Sequence, residues 1–206
     1  MTPVPTPKGQ QRRKELIEAA GHLLATSGPS GVTMRAVAKE VGCSLSATVY
    51  YFADRDELLA EAGRYNIALW AGRAERVAEK AEAGGSITTG EELVELLLEA
   101  VLSRETLLYG HYVTLLAAGS SAPVARAYFT GRGRLNSAVG RVLRVAGARM
   151  SAELVITIVD GAAVTALSEG RDVHDTARGM LSEALAPESG DLSPAGCAGN
   201  GRSGER

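Results

Sequence analysis

The chain has few of the residues that hold disulfides or metals. It contains two cysteines, Cys43 and Cys197, and three histidines that lie far apart, in a length of 206 residues. Two isolated cysteines do not make a disulfide framework. No histidines or cysteines have the close spacing that a zinc site requires. The sequence therefore predicts no metal and no cofactor, and its sparing use of cysteine suits a reducing cytoplasm.

Long apolar runs and catalytic motifs are also lacking. No stretch reaches the ~18–20 apolar residues of a membrane span, and the nearest, residues 154–167, contains Asp160. Residues 1–7, MTPVPTP, have no apolar run of the kind found in a signal peptide. There is neither a phosphate-binding loop nor a Gly-x-Ser-x-Gly turn. We therefore expect a cytoplasmic protein that is not an enzyme.

The residues that are abundant favour helices. Hydrophobic residues make up 45% of the chain, and alanine and leucine, which are good helix formers, dominate over the β-branched types. No segment alternates polar and apolar residues as a half-buried strand does. The sequence predicts an all-α protein with a three-helix head and a larger helical domain. Beyond the head, glycine-rich breaks predict helices over residues 55–82, 91–103, 105–118, 122–146, 151–169 and 174–186.

Composition divides the chain into four segments. We expect residues 1–9 to form a flexible arm, residues 10–55 the head, and residues 56–186 the larger helical domain. Residues 187–206 contain five glycines and no large apolar residue after Leu192. Such a segment cannot bury enough apolar surface to fold, so we expect a disordered tail.

Charge is distributed unevenly between the head and the larger domain. Residues 1–55 carry seven Lys or Arg and four Asp or Glu, a net charge of +3. Residues 56–186 carry 13 Lys or Arg and 17 Asp or Glu, a net charge of −4. A basic head on an acidic body is what selective contact with phosphates requires.

Residues 31–59 have the pattern of a helix-turn-helix. Thr33 is a good N-cap for a first short helix. Gly42 stands where a residue with positive φ ends that helix at little cost. Ser44 caps the next helix, and Asp54 opens a third with acids in its first turn. The inner face of the first helix is apolar, as a helix-turn-helix needs if its second helix is to enter the major groove; its residues are Met34, Val37, Ala38 and Val41.

This segment resembles the DNA-binding domain of the TetR-type (tetracycline-repressor-like) transcriptional regulators. The resemblance runs without gaps over residues 12–59. It includes the leading basic helix, the threonine that starts the second helix, the Gly-x-Ser turn, the aromatic pair before Phe52 and the basic residue followed by acids and Leu-Leu. Beyond residue 60 the resemblance is one of helical architecture. It implies a homodimer that binds double-stranded DNA and a small-molecule effector.

Candidates for DNA contact come from the short helices and their flanks. The set comprises Thr33, Arg35, Ser44, Leu45, Ser46, Ala47, Tyr50, Tyr51 and Arg55. By the resemblance, Arg35 contacts a base edge or a phosphate; otherwise it is a solvated surface arginine. Arg55 matches a family lysine that binds phosphate, and the alternative is an ion pair with Asp56. Arg12, Arg13 and Lys14 either touch phosphates or form a solvated face.

The predicted recognition helix is poor in charge. Leu45, Ser46 and Ala47 suit thymine methyls and groove shape better than bidentate recognition of guanine, although Leu45 alternatively packs on the preceding helix. Tyr50 and Tyr51 offer hydroxyls to phosphates, and one of them is alternatively part of the core. The aromatic residue usual in the family stands one position earlier, where this chain has Val49. Phe52 is expected in the core.

The larger domain should hold an apolar pocket with a few polar groups. Candidate lining residues are Trp70, Tyr109, His111, Tyr112, Tyr128, Phe129 and Asn136; each of them taken alone is alternatively core or surface. Asp160 is a pocket acceptor or a hydrogen-bonding group at a subunit interface, with the interface favoured. Cys43 is either a redox sensor or a packed thiol, with the packed thiol favoured.

The helix over residues 151–169 is apolar around nearly its whole circumference, so it should be buried on all sides. The resemblance to the family implies burial against a second copy, in a four-helix bundle with the last helix. The alternative is the central core helix of a monomer. The predicted interface residues are Val155, Ile158, Val159, Ala162, Ala163 and Ala166.

Together these features predict a transcriptional regulator with no membrane association. The favoured function is a repressor that a small, mostly apolar effector releases from a palindromic operator. An activator or a DNA-binding protein without an effector would have the same fold. The alternative from another class is an all-helical protein or enzyme that handles a small apolar molecule, with the head serving as a protein-interaction module.

Overall fold

The structure, a computed structural model, describes residues 6–102 and 108–186. Within these residues the chain forms nine helices and no strand, so the predicted all-α class is confirmed. The helices are α1 Pro7–Gly31, α2 Met34–Val41, α3 Leu45–Tyr51, α4 Arg55–Gly84, α5 Gly90–Val101, α6 Leu108–Ala118, α7 Ala122–Val145, α8 Ala152–Glu169 and α9 Val173–Leu185. The predicted tail and the predicted start of the helix over 105–118 lie outside the described residues. No helix of the described residues is both long and apolar enough to cross a membrane.

Local helix-end chemistry explains most of the boundaries. The side chains of Thr33, Ser44 and Asp54 each accept a hydrogen bond from the backbone N–H three residues later, at 3.1, 3.2 and 2.8 Å. Gly42 ends α2 in the left-handed conformation, with φ of 69°. Each cap satisfies an orphan backbone group, so the chain needs no tertiary contact to place these ends.

The first helix differs from its prediction at both ends. Residues 7–9, expected in a flexible arm, form the first turn of α1, because Pro7 suits an N-terminal helical position and Thr6 caps the turn. At the other end, Gly28 has φ of 68° and ψ of −176°, which interrupts the helix before a last turn through Gly31. The helix is therefore interrupted at Gly28, and one further helical turn follows, which ends at Gly31.

Helix α4 contributes to two hydrophobic cores. The head core contains Leu58 and Leu59 from α4, packed with residues of α1 and α2 and with Phe52, which is buried as expected. The body core contains Ala74 and Val77 from α4, packed with residues of α5, α7, α8 and α9. Because one helix belongs to both cores, a displacement of α4 in the body must disturb the head.

Helices α4 and α7 run side by side in the same direction. At two glycines the side chain of the other helix packs directly on the glycine backbone: a Cβ added to Gly131 would lie 2.4 Å from Cγ2 of Ile67, and one added to Gly63 would lie 3.0 Å from Cβ of Ala127. Farther along the pair, Arg134 donates to both carboxylate oxygens of Glu75, at 3.0 and 2.8 Å. Arg141 forms the equivalent two hydrogen bonds with Glu82.

Within a single chain, helix α8 is buried along one face, and the burial of its other face against a second copy stays a prediction. Its predicted interface residues face the core of their own chain: Val155, Val159, Ala162, Ala163 and Ala166 are buried there, and Ile158 packs against it. The helix is apolar all round because one face fills the body core while another carries exposed Leu154 and Val164. Apolar composition alone cannot tell which face meets the core.

The close approach of α4 and α7 yields a test with a control in the same helix. We expect Gly131→Ala to unfold more easily than the native chain, by about 1–3 kcal/mol, because the new methyl overpacks against the stiff side chain of Ile67. A Cβ at Gly133 would meet nothing within 4 Å, so Gly133→Ala should be neutral or stabilising by up to about 1 kcal/mol. Urea unfolding monitored by circular dichroism measures both; equal stability of the two variants would contradict the close contact.

Candidate nucleic-acid interface and effector site

The α2–turn–α3 unit presents the outer face of α3 to solvent. Leu45, Val49 and Tyr50 are 42%, 55% and 81% exposed, and Ser46 is exposed beside them. The inner side is fixed by Thr48, which is fully buried. Val49 was not among the predicted contacts, because the resemblance gave that position to an aromatic residue. Its place one helical turn after Leu45 was the available signal.

The other predicted contacts of this unit divide into caps and inward-facing residues. The hydroxyls of Thr33 and Ser44 accept the capping hydrogen bonds of α2 and α3, so their first role is structural. Ala47 is half-buried. Tyr51 packs against the head core and meets the ring of Tyr50 edge-on, with centroids 5.1 Å apart. Of the two tyrosines, Tyr50 is the one that projects outward.

Most cations of the head are committed to partners within the chain. Arg12 pairs with Glu15 at 2.9 Å and Lys14 with Glu18 at 3.7 Å. Arg13 pairs with Glu61 at 2.6 Å while its guanidinium lies 5.3 Å from the ring centroid of Phe52, so it joins α1 to α4. By contrast, Arg35 and Lys39 on α2 are exposed and form no ion pair within the residues that the structure describes. The ion pairs in and beside the head are formed by Arg12, Arg13, Lys14 and Arg64.

Arg55 is engaged in a way that the sequence did not suggest. Its guanidinium donates to the carbonyl oxygens of Val32, at 2.8 Å, and Pro29, at 2.5 Å. Both carbonyls follow the interruption of α1, and that of Pro29 also accepts the backbone N–H of Val32 at 3.3 Å. Arg55 therefore ties the start of α4 to the segment that leads into α2. Its expected contact with phosphate remains a prediction, and the pairing with Asp56 is not formed among the described ion pairs.

Comparisons with known proteins point to one family. The family model described as "Bacterial regulatory proteins, tetR family" matches residues 16–62, from the middle of α1 into α4. Over these residues the chain matches the DNA-binding domain of that family. The α2–turn–α3 unit lies within the match and corresponds to the helix-turn-helix of that domain. The HTH-type transcriptional regulator PksA of Bacillus subtilis is 32% identical over 96 residues, which span 47% of this chain and 44% of that protein.

Solved structures of the family share the whole fold. A transcriptional regulator from Saccharomonospora viridis, in complex with choline, superimposes with a TM-score of 0.64 at 22% identity, over 84% of this chain and 95% of its own. A TetR transcription regulator from Haloarcula marismortui gives a TM-score of 0.64 at 24% identity, over 85% of this chain and 97% of its own. At such identities the likeness concerns the fold.

In the body of the chain, four of the predicted pocket residues meet in one aromatic cluster between α4, α6 and α7. Trp70 lies between His111 and Tyr128, with ring centroids 4.6 and 5.2 Å away, and His111 meets Tyr112 at 4.9 Å. Edge-to-face contacts of this kind add to the stability of apolar burial. Burial and the nearby charge of Arg73 lower the pKa of His111 to about 4, so its ring is neutral at pH 7.

The remaining pocket candidates do not join the aromatic cluster. Phe129 is 87% exposed on α7. Asn136 donates to Glu153 of α8 at 3.3 Å. The side chain of Tyr109 lies outside the described residues. The sequence signal, a local density of aromatic residues, could not separate the residues of α6 and α7 that face inward from those that face solvent.

Asp160 closes the aromatic cluster on the side of α8. Its carboxylate accepts a hydrogen bond from the Tyr112 hydroxyl at 3.2 Å and lies 3.5 Å from a guanidinium nitrogen of Arg132. Burial raises the pKa of Asp160 and also that of Tyr112. These contacts lie within one chain, and both predicted roles of Asp160 stay predictions.

A buried polar link connects the aromatic cluster to α1. Asn66 lies beside the Tyr128 hydroxyl, where it opposes the rise in the Tyr128 pKa that burial causes, and the Asn66 amide donates to the backbone carbonyl of Gly21 at 3.2 Å. Asn66 is one of the few buried polar residues of the described chain. Sequence reasoning missed it, because a lone asparagine in a long helix carries no periodic signal. The link joins α7, α4 and α1.

Neither of the two cavities reported for the described residues lies at the aromatic cluster. The larger, of about 750 Å³, is a groove along α4 and α7 with a floor of small residues such as Ala68 and Gly131. The smaller, of about 410 Å³, lies between α5 and α9 near Glu95 and Arg178. The rings of the aromatic cluster contact one another directly, with centroids 4.6–5.2 Å apart.

The two hydrogen bonds of Arg55 can be tested against its predicted phosphate contact. We expect Arg55→Ala to lower the free energy of unfolding by about 1–2 kcal/mol, because two hydrogen bonds from a charged donor are lost. Arg12→Ala removes only an exposed pair and should change it by about 1 kcal/mol or less. Chemical denaturation measures both. If Arg55→Ala kept full stability and only reduced the salt dependence of DNA binding, Arg55 would be a phosphate ligand instead.

Proposed function

We propose that the chain is a homodimeric transcriptional repressor that binds a palindromic operator and is released from it by a small, mostly apolar effector. The observation that carries this proposal is the exposed outer face of α3, flanked by the unpaired cations of α2. Double-stranded DNA fits this combination, because the apolar ridge can enter its major groove while the adjacent positive charges meet its phosphates. Phosphate neutralisation by Lys and Arg then makes the affinity depend on salt.

Dimerisation is supported by the face of α8 that the body core leaves exposed. Leu154, Thr157, Gly161 and Val164 recur at spacings of three and four residues along this face and are exposed. Met180 of α9 is an exposed large hydrophobic residue as well. A Cβ added to Gly161 would meet nothing within 4 Å, so a second helix has room to approach closely. A two-fold arrangement would bury this face against its own copy and present two heads to half-sites about 34–36 Å apart.

Effector binding is assigned to the aromatic cluster. The Saccharomonospora viridis relative was solved in complex with choline, which supports a small-molecule site in this fold. Here the Trp70, His111, Tyr112 and Tyr128 rings provide apolar surface, and Asp160 and Arg132 provide polar groups. Because the rings contact one another, an effector that inserts between them must bind a conformation in which some of them have moved.

Release from DNA follows from the position of α4. An effector that displaces Trp70 and Tyr128 pushes on α4 and breaks the hydrogen-bonded link through Asn66 to Gly21 of α1. The two heads of a dimer would then change their separation. The effector shifts the population only if it binds the separated state more tightly than the DNA-binding state. Trp70 is the one tryptophan of the chain, so its fluorescence reports effector binding directly.

Operator binding provides the first test. We expect sequence-selective binding to the DNA upstream of the protein's own gene, with affinity that falls as salt rises. Arg35→Ala should weaken binding by about tenfold or more, as loss of a base or phosphate contact would. Arg149→Ala, which removes an exposed arginine of the body, is the matched control and should have no effect. Fluorescence anisotropy at two salt concentrations measures this; equal binding to operator and random DNA, after a genome-wide selection as well, would reject the proposal.

The dimer interface has its own test. We expect Val164→Arg to convert the dimer into a monomer, because two copies of the new charge would be buried across the two-fold axis. Leu116→Arg is the control: Leu116 is 70% exposed, against 40% for Val164, but lies on α6. Size-exclusion chromatography with light scattering gives the mass of each. A dimeric Val164→Arg variant would move the interface elsewhere.

A further inference from the structure

We infer that α3 recognises its operator chiefly through thymine methyl groups, and that bidentate recognition of guanine is confined to Arg35 of α2. This inference rests on the proposed function and specifies the kind of DNA that the same site accepts. It concerns operator sequence, so it can fail while DNA binding itself stands.

The first support is the chemistry that α3 lacks. Bidentate readers of guanine and adenine are Arg, Lys, Asn and Gln, and cytosine is read by Asp and Glu. Residues 42–53 contain none of these six types. The side chains left to α3 are aliphatic, hydroxyl-bearing and aromatic. Of the contacts that discriminate bases in the major groove, an aliphatic side chain can make one, with the thymine methyl.

The second support is the arrangement of the exposed face. Leu45 and Val49 are four residues apart and form one apolar ridge, and Ser46 and Tyr50 form a parallel ridge that carries hydroxyls. Four residues rise about 6 Å along a helix, and successive base pairs are spaced about 3.4 Å. The apolar ridge therefore matches the methyl groups of about two neighbouring base pairs.

The hydroxyl ridge adds little discrimination. The Ser46 hydroxyl is 2.9 Å from that of Ser44, which in turn caps α3. A serine hydroxyl both donates and accepts, so it tolerates several bases. Tyr50 projects farthest, and its hydroxyl suits a phosphate, which fixes register and carries no base information.

The third support is where the free cations lie. Arg35 and Lys39 are four residues apart on α2, exposed, and unpaired within the described chain. In a helix-turn-helix the helix before the recognition helix crosses the DNA backbone. Positive charge on α2 beside an apolar ridge on α3 complements a phosphate backbone beside an apolar groove edge. A purely apolar protein partner would leave both cations without a counter-charge.

The test removes single methyl groups from the DNA. The full-length protein first selects a binding site from a pool of random 30-base-pair duplexes. Each thymine of the selected half-site is then replaced by deoxyuridine, which lacks only the 5-methyl group. We expect one or two positions per half-site at which the affinity falls roughly fourfold per methyl, the effect of exposing one buried methyl group.

Variants of the protein identify the side chains that meet those methyls. In Leu45→Ala and Val49→Ala, the affinity difference between the thymine and uracil duplexes should shrink at one position each. Leu69→Ala, which trims an exposed leucine of α4 in the body, should keep the full difference. The wild-type protein alone decides the question if either head variant fails to fold.

The outcomes separate the two levels of the proposal. Selective binding with equal affinity for thymine and uracil duplexes would overturn the methyl inference and leave the regulator intact. Selection of half-sites in which guanines, and not thymines, lie under α3 would overturn it equally. Failure to select any sequence would overturn the proposed function and this inference together.

Discussion

The structure depends on one constraint: helix α4 must satisfy two hydrophobic cores at once. Its first turns belong to the core that holds α1, α2 and α3, and its later turns belong to the core of the body. Burial of apolar surface is the dominant favourable term in folding. Neither core can therefore rearrange without moving a helix that the other needs. Arg13, Arg55 and Asn66 reinforce this arrangement, because each joins α4 to α1 or to the segment that follows it.

The contact of α4 with α7 determines the direction in which α4 can move when the aromatic cluster rearranges. At Gly63 and Gly131 only one of the two helices contributes a side chain to the contact, whereas farther along the pair two-pronged arginine–carboxylate hydrogen bonds hold them together. Packed helices with a smooth contact can slide by small amounts. The aromatic cluster lies beside this contact through Trp70 and Tyr128, so movement of the rings acts directly on the helix that reaches the head.

Much of the fold could be predicted because the interactions that begin and end its helices are local in sequence. Thr33, Gly42, Ser44 and Asp54 end or begin helices through hydrogen bonds within three residues, and such bonds are visible in the sequence. The direction of side chains was harder to predict. Helix α8 is apolar on two faces, and only the packing of α5, α7 and α9 decides that Val155 and Ala162 face inward while Val164 does not.

The same distinction applies to where the structure places the predicted site residues. The contact candidates of α3 follow from its position after the glycine turn, but the exposure of Val49 and the inward packing of Tyr51 depend on the tilt of α3 against the head core. Arg55 was assigned to phosphate by resemblance, yet it bonds carbonyls exposed by the break at Gly28. Four aromatic residues of the body meet, and Phe129 does not, because a density of rings in sequence says nothing about rotation around a helix axis.

The buried link from Asn66 to Gly21 has a consequence for how this chain can change over generations. Asn66 bonds a main-chain carbonyl of α1, an atom that every amino acid provides. Exposed side chains along α1 can therefore be exchanged by mutation without loss of that hydrogen bond. Gly21 itself is the exception, because a Cβ there would lie 2.5 Å from the ring of Tyr65 and 3.0 Å from the Asn66 amide oxygen. The link thus constrains α1 at the one residue whose lack of a side chain lets α4 come close.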